Sequence, residues 1–310
     1  MSIKRFYCLI NALLLLAGLS GSGLCLARSL ADIVASGTLV VGVKNDVPLW
    51  GHKDSKTGVI SGLEIDLAHD LAKRLGVRYE AVGLRSDERI DAIRSGRVDV
   101  VIATLSDTPE RRQTLTLVSP HYYSSGVNLL SRKSDHFREW FQLKNRKICG
   151  RRGSFYNRLV TVKYGIDIVA LHSLEWATTA FLEGRCSALI YDDTAIVAML
   201  SNPFWSQSFE MSMETLYPTA WAIAIHKDQA GGPLEKAISE AIIAWHRDGY
   251  LLRLESKWNI PTSDFLRRMN AVWTKTNAKD GWYCGTEINA KTPADCLAPT
   301  TAIGNDHEKR

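Results

Sequence analysis

Two stretches of this chain spell the same alternation of short β-branched runs and amphipathic helices, and that rhythm leaves few folds open. In the first stretch, Thr38–Lys44 (TLVVGVK) reads as a buried strand after Gly37. A helix is expected over Leu63–Leu75, with Leu63, Leu67, Ala68, Leu71, Ala72 and Leu75 along one face and Gly76 where a C-cap belongs. Val77–Val82 is a second strand, Glu88–Ser95 a short helix closed by Gly96, and Val98–Ala103 a third strand. The pattern then restarts: strand Arg146–Gly150, helix Ser154–Tyr164, strand Ile166–Leu171, helix Leu174–Leu182 closed by Gly184, strand Ser187–Tyr191 and a helix from Thr194 to Leu200. Consecutive parallel strands need a crossover, and the intervening helices supply it. The expected fold is therefore α/β, with two doubly wound parallel-sheet lobes. Two extended apolar runs, Gly126–Ser131 and Thr219–His226, serve as crossing segments between them. The implied boundaries are lobe 1 at residues 28–128 and 222–270, lobe 2 at 129–221, and a tail at 271–310. Leu234–Trp258 is amphipathic and interrupted at Gly249. Beyond about Asn270 the periodicity fades into a loop-rich tail with a disordered end.

The first residues set the compartment. Lys4 and Arg5 precede an apolar run from Leu9 to Leu19; Ser20–Gly23 break it, and Cys25-Leu26-Ala27 presents small side chains for a cut before Arg28. This is the layout of a secretory signal peptide over residues 1–27, with an apolar core too short to span a bilayer. Loss of Lys4 and Arg5 lowers the net charge from +5 to +3, mildly basic and not a nucleic-acid footprint. Four cysteines then remain: Cys149, Cys186, Cys284 and Cys296. An even number in an oxidising compartment suggests two disulfides. Pairing Cys149 with Cys186 and Cys284 with Cys296 is the simplest of three connectivities. No CxxC and no clustered histidines suggest a metal, and no cofactor motif is present.

Ligands of open parallel sheets lie beyond the carboxyl ends of the strands. That rule selects Lys44–Asp46, Thr104–Asp107, Arg151–Ser154 and the pair Asp192, Asp193. A cation, hydroxyls, a glycine-turn helix start and carboxylates are what a zwitterion needs, since a buried charge without a partner is costly. In Thr104–Arg111 (TLSDTPER), Thr108 is a good N-cap and Pro109 fits the first helical position. Arg111 then falls in the first turn, where its guanidinium can grip a carboxylate with two hydrogen bonds.

Several segments, taken in order, resemble the polar amino-acid-binding periplasmic proteins of ABC importers (bacterial extracellular solute-binding protein family 3). They are GTLVVGVKNDVP, GVISGLEIDLAHDLAKRLGV, RIDAIRSGRVDVVIATLSDTPERR, LVSPHYYSSGVNLL, GRRGS, GRCSALIYDD and DGYLLRLESKWNI. The resemblance covers roughly residues 37–260 and implies a type II periplasmic-binding-protein fold that closes by a hinge on its ligand. It implies that Arg111 binds the ligand α-carboxylate beside Ser106, that Thr104 and Asp192 face the α-ammonium, and that Gly153–Ser154 is the second-lobe helix start. Arg89 and Lys44 match basic positions near the ligand side chain in the acidic and general L-amino-acid subgroups, which points to an acidic or amide ligand. The same general binders carry cysteines on the strands of Cys149 and Cys186. Trp50 stands near the usual aromatic lid. Two departures are visible: Phe155 and Tyr156 follow Ser154 where the family has Thr or Gln, and Leu49-Trp50 follow Pro48 where it has Phe. The partners implied are an amino acid and an inner-membrane ABC permease, with the protein a monomer and no nucleic acid bound.

Two other classes use similar scaffolds. A periplasmic enzyme resembling cyclohexadienyl dehydratase would need a general acid in the cleft, with Glu175, Asp193 and His172 as candidates in the second lobe. A sensor would have to be a free-standing periplasmic adaptor.

Overall fold

The computed structural model describes residues 27–277 and 281–297. The expected signal peptide up to Leu26 and the end of the tail lie outside the described residues. Among the described residues, no helix is long and apolar enough to cross a membrane.

The first half contains β1 (Thr38–Lys44), α1 (Leu63–Arg74), β2 (Arg78–Leu84), α2 (Arg89–Arg94) and β3 (Val100–Ile102). α3 (Pro109–Thr114) leads into β4 (Leu115–Arg132). The second half contains β5 (Lys147–Arg151), α4 (Tyr156–Tyr164), β6 (Asp167–Leu171), α5 (Leu174–Leu182), β7 (Ala188–Asp192) and α6 (Asp193–Leu200). β8 (Leu216–His226) returns the chain to the first half, where α7 (Pro233–Arg247), α8 (Tyr250–Lys257) and α9 (Asp264–Trp273) pack.

The main sheet runs in the order β2-β1-β3-β8-β4-β7-β5-β6. β1 pairs parallel with β2 and β3, and β5 pairs parallel with β6 and β7. The expected α/β architecture is thus present as two parallel three-stranded units of like order, second-first-third. The joint between them is antiparallel: β8 pairs with β3 and β4, and β4 pairs with β7. Both anticipated crossing runs fall inside these long strands. Crossing segments built as paired strands satisfy their own main-chain groups, which a loop through the middle of the protein would leave unpaired.

Local chemistry explains most boundaries. Leu63, Leu67, Ala68, Leu71 and Ala72 of α1 are buried against the sheet. Gly62 starts that helix at φ 149, and a Cβ there would come within 2.3 Å of the Trp50 carbonyl oxygen, so only glycine fits. Thr108 caps α3 by accepting from the Arg111 N–H, and Pro109 occupies the first turn. The helix expected from Ser154 begins instead at Tyr156, with Phe155 at the N-cap position and no side-chain cap. A helix not anticipated, α9, straddles Asn270, where the tail was expected to begin. Ser263 caps it, and Phe265, Leu266, Met269 and Trp273 are buried at helical spacing. Burying side chains of this size contributes ~1.5–3 kcal/mol each. Arg247 of α7 then stacks between Trp273 and Trp282, tying the tail to the body.

Both disulfides have the simplest connectivity, Cys149–Cys186 and Cys284–Cys296. The first joins β5 to the approach to β7, adjacent strands of the second unit. Replacing Cys149 and Cys186 together by Ser is expected to lower unfolding free energy by ~2–4 kcal/mol. Urea denaturation should show this as a lower midpoint, with the Cys284–Cys296 pair left intact.

Candidate functional site

Ten residues from both halves line one small cavity: Ser86, Arg89, Thr104, Ser106 and Arg111 from the first half, and Ser154, Phe155, Tyr156, Tyr191 and Asp192 from the second. The first-half residues follow β2 and β3 or lie in α2 and α3. Those of the second half follow β5 or end β7. The cavity therefore lies at the carboxyl ends of parallel strands from both units. Six of the eight expected ligand-facing residues meet here: Arg89, Thr104, Ser106, Arg111, Ser154 and Asp192.

The two arginines are held by main-chain carbonyls. Arg111 donates from one guanidinium nitrogen to Ser106 O at 2.7 Å and from the other to Gly153 O of the second half at 3.5 Å. Arg89 donates from Nε to Ser86 O at 3.0 Å and from one terminal nitrogen to both Ala103 O and Thr104 O at 2.7 Å. Burial lowers the Arg111 pKa to about 9, helped by the charge on Arg89. Arg111 thus stays cationic at neutral pH; burial, with the nearby charge of Arg151, lowers the Arg89 pKa as well, and both side chains are held in fixed orientation and short of solvent. An anion entering the cavity meets positive charge already desolvated and ordered.

Asp192 faces them from the end of β7. Burial pushes its carboxyl up to about 6, against the pull of Arg89, Lys44 and Arg151. A cationic group beside it would favour the ionised form. Guanidinium on one wall and carboxylate on the other give the cavity opposite charges on its two sides.

A buried ion triad braces the same region. Asp46, which opens a two-residue strand just after β1, lies 3.0 Å from Lys44 Nζ and 2.6 Å from the Arg151 guanidinium at the end of β5. The Lys44 and Arg151 side chains are fully buried. Burial opposes ionisation of Asp46, but the two cations outweigh it and hold the carboxyl below its usual range. Arg151 also donates to the Tyr191 hydroxyl at 3.3 Å, and Lys44 to Ser86 Oγ at 3.1 Å. At Gly153, φ is 81 and a Cβ would sit 2.7 Å from Asp87 N, so glycine allows the two halves to touch.

Two expectations need correction. Lys44 does not line the cavity; Asp46 and Ser86 occupy its ammonium, and burial lowers its pKa to about 7. Trp50 is not a lid over the cavity. It is fully buried, with its ring edge-on to Tyr123 at 4.6 Å and Trp221 at 4.8 Å, because Leu49 and Trp50 carbonyls accept the first N–H groups of α1 and draw the loop into the core. The three acids weighed for an enzyme also stand apart. His172 and Glu175 are exposed, and Asp193 accepts from Ser125 Oγ at 2.6 Å and Gly126 N at 3.1 Å in the crossing strand. Ser86, Phe155, Tyr156 and Tyr191 line the cavity without having been singled out as ligand contacts. The strand-end rule had selected Arg151, and Tyr191, one residue before the end of β7, lies just inside the strand end at which the rule began.

The chain belongs to the bacterial extracellular solute-binding proteins, family 3, whose model matches residues 39–261. The ABC transporter glutamine-binding protein GlnH of Bacillus subtilis (strain 168) is 27% identical over 235 residues, covering 74% of this chain and 84% of GlnH. Among solved structures, a solute receptor for L-cysteine of Neisseria gonorrhoeae superimposes with a TM-score of 0.69 at 26% identity, covering 76% of this chain and 94% of the receptor. AncCDT-1, an ancestral amino acid-binding protein and precursor of cyclohexadienyl dehydratase, gives a TM-score of 0.66 at 26% identity, covering 74% and 98%.

Replacing Asp46 by Asn leaves two buried cations without their shared counter-charge. The expected loss of unfolding free energy is ~3–5 kcal/mol. Guanidinium-chloride titration of Asp46→Asn against the wild type measures it, and a change under 1 kcal/mol would remove the triad from any structural role.

Proposed function

We propose that this protein is an exported solute-binding protein that captures a polar amino acid between its two halves and delivers it to an ABC permease in the inner membrane. One observation carries the reading: Arg111 and Asp192, one from each half, line the same small cavity. A zwitterion satisfies both at once, and it does so only when the halves are together, which couples binding to closure. The lobes are residues 28–128 with 222–270, and 129–221, hinged where β4 and β8 cross; the protein acts as a periplasmic monomer. Family membership and the amino-acid ligands named for GlnH and the L-cysteine receptor support the same cargo class. In this reading Arg111 and Ser106 hold the α-carboxylate, Thr104 and Asp192 the α-ammonium, and Arg89 the side-chain end with Ser86 and Ser154. With Lys44 engaged by Asp46, Arg89 is the cation left to select an acidic or amide side chain.

The likeness to AncCDT-1 favours one second reading, a dehydratase acting on a prephenate-like acid. Asp192 would have to supply its proton. Keto-acid product from purified protein incubated with prephenate would establish that reading in place of transport.

Arg111→Ala is expected to weaken amino-acid binding by roughly 30-fold or more, the cost of leaving a buried carboxylate without its charged partner, while circular dichroism stays unchanged. Isothermal calorimetry with L-glutamate and L-glutamine measures it, and unchanged affinity would end the carboxylate assignment. In the same assay Arg89→Ala should weaken L-glutamate by about tenfold more than L-glutamine, because a hydrogen bond to a charged group contributes more than one to a neutral group. Equal losses for the two would argue against a side-chain role.

A further inference from the structure

Thr104 stands at the centre of the cavity wall in an unusual conformation. Its φ is 47, a left-handed backbone that a β-branched residue enters only at a cost of order 1–3 kcal/mol. Something must hold it there. Its carbonyl accepts from Arg89 at 2.7 Å. Its N–H points away from the cavity contacts, to Oε1 of Glu64 at 2.5 Å. Glu64 belongs to α1, is fully buried, and also accepts from the Tyr122 hydroxyl at 2.5 Å. Its second oxygen is buried without a hydrogen-bond partner among the described residues. A carboxylate in such a place is expensive, since burial of an unpaired charge is opposed by desolvation. A purely structural acceptor for one N–H would be served by a neutral side chain.

We propose that Glu64 is a positioning residue of the binding site: from behind the cavity, its carboxylate grips the Thr104 N–H while Arg89 grips the Thr104 carbonyl, and together they hold the strained peptide that presents Thr104 to the ligand. The role rests on the reading of the cavity as an amino-acid site. The groups facing Glu64 are Lys44 from β1, Arg89 from α2 and Tyr122 from β4, besides the Thr104 amide. Burial raises the Glu64 carboxyl to about 7, against the hydrogen bonds from Tyr122 and Thr104 and the two positive charges. Ionisation therefore falls within an accessible pH range. Above that range the carboxylate makes two charge-assisted bonds; below it the protonated acid makes weaker ones. Grip on Thr104, and affinity with it, should rise as pH rises through neutrality. Tyr122 is a second, longer partner for the same N–H, at 3.2 Å, and its hydroxyl is itself held by Glu64, so removing Glu64 loosens both contacts.

The test uses the full chain, with L-glutamate and L-glutamine as calorimetric probes between pH 6 and 8 and the Thr104 amide followed by ¹⁵N–¹H NMR. In the wild type the Thr104 amide should titrate across neutral pH and affinity should increase alongside it. Glu64→Gln keeps both acceptor bonds without the charge. It should bind several-fold more weakly at pH 8, with a pH-independent Thr104 amide and only the affinity step that Asp192 contributes at lower pH. Glu64→Ala should lose about tenfold or more. A Thr104 amide that ignores pH in the wild type, or a folded Glu64→Ala protein that binds as tightly as wild type, would overturn the proposal alone. A wild type that binds neither probe nor any other common amino acid would overturn the reading of the cavity and this role with it.

Discussion

Asp46 shared between Lys44 and Arg151 is the contact on which the geometry of the cavity turns. One carboxylate of the first half holds a cation from each half, all three largely or wholly out of water. Breaking such an arrangement leaves a buried charge unpaired, whereas making it costs desolvation, so its effect is to define one relative placement of the halves rather than to add much net stability. From that placement the rest follows. Arg151 is anchored where its second bond reaches the Tyr191 hydroxyl, and Gly153 is carried against Ser86 and Asp87. The walls that bear Arg111 and Asp192 come to face each other.

The cavity itself is built from charges prepared in advance. Arg89 and Arg111 are each held by main-chain carbonyls, those of Ser86, Ala103 and Thr104 for the first and of Ser106 and Gly153 for the second, so little ordering remains when an anion arrives. The carbonyls, being neutral acceptors, leave the positive charge uncompensated. Asp192 is left in the complementary condition, a carboxyl raised to about 6 by burial, which an incoming ammonium would relieve. Lys44 and Arg89 look equivalent as basic residues near the ligand side chain, but they differ in kind. The first is neutralised inside the protein by Asp46, and the second keeps its charge toward the cavity.

Much of this was legible in residue patterns. The strand-helix rhythm appeared twice with boundaries within a few residues, because β-branched runs and amphipathic stripes record burial directly. Strand ends pointed to Thr104, Ser106, Ser154 and Asp192, and the Thr108–Pro109 helix start to Arg111, and the structure brings all five to one cavity. The failures have physical causes. Trp50 as a lid rested on its place after Pro48, and the pairing of the Leu49 and Trp50 carbonyls with α1 turned the ring inward. Glu64 was hidden within a helix whose apolar stripe explained its neighbours. A buried carboxylate at the start of a helix reads as a dipole partner until the Thr104 N–H is seen beside it. α9 was legible too: Phe265, Leu266, Met269 and Trp273 stand at helical spacing behind a Ser263 cap, but its ten residues straddle the point near Asn270 where the tail was expected to begin.

By itself, the sequence determined which segments would become strands and helices, that they form two units of like order, and which strand ends gather polar residues. These depend on local spacing, and local spacing is written in the chain. Only the tertiary structure decided how the charges were shared out: that Asp46 would claim Lys44 and Arg151, that Arg89 would keep its charge for the cavity, and that Glu64 would stand behind Thr104. Such choices depend on distances between residues tens of positions apart and on the loss of water around them. Burial and pairing, which fix the ionisation and orientation of each group, exist only once the chain is folded, and for Asp46 with Arg151 only once the two halves meet.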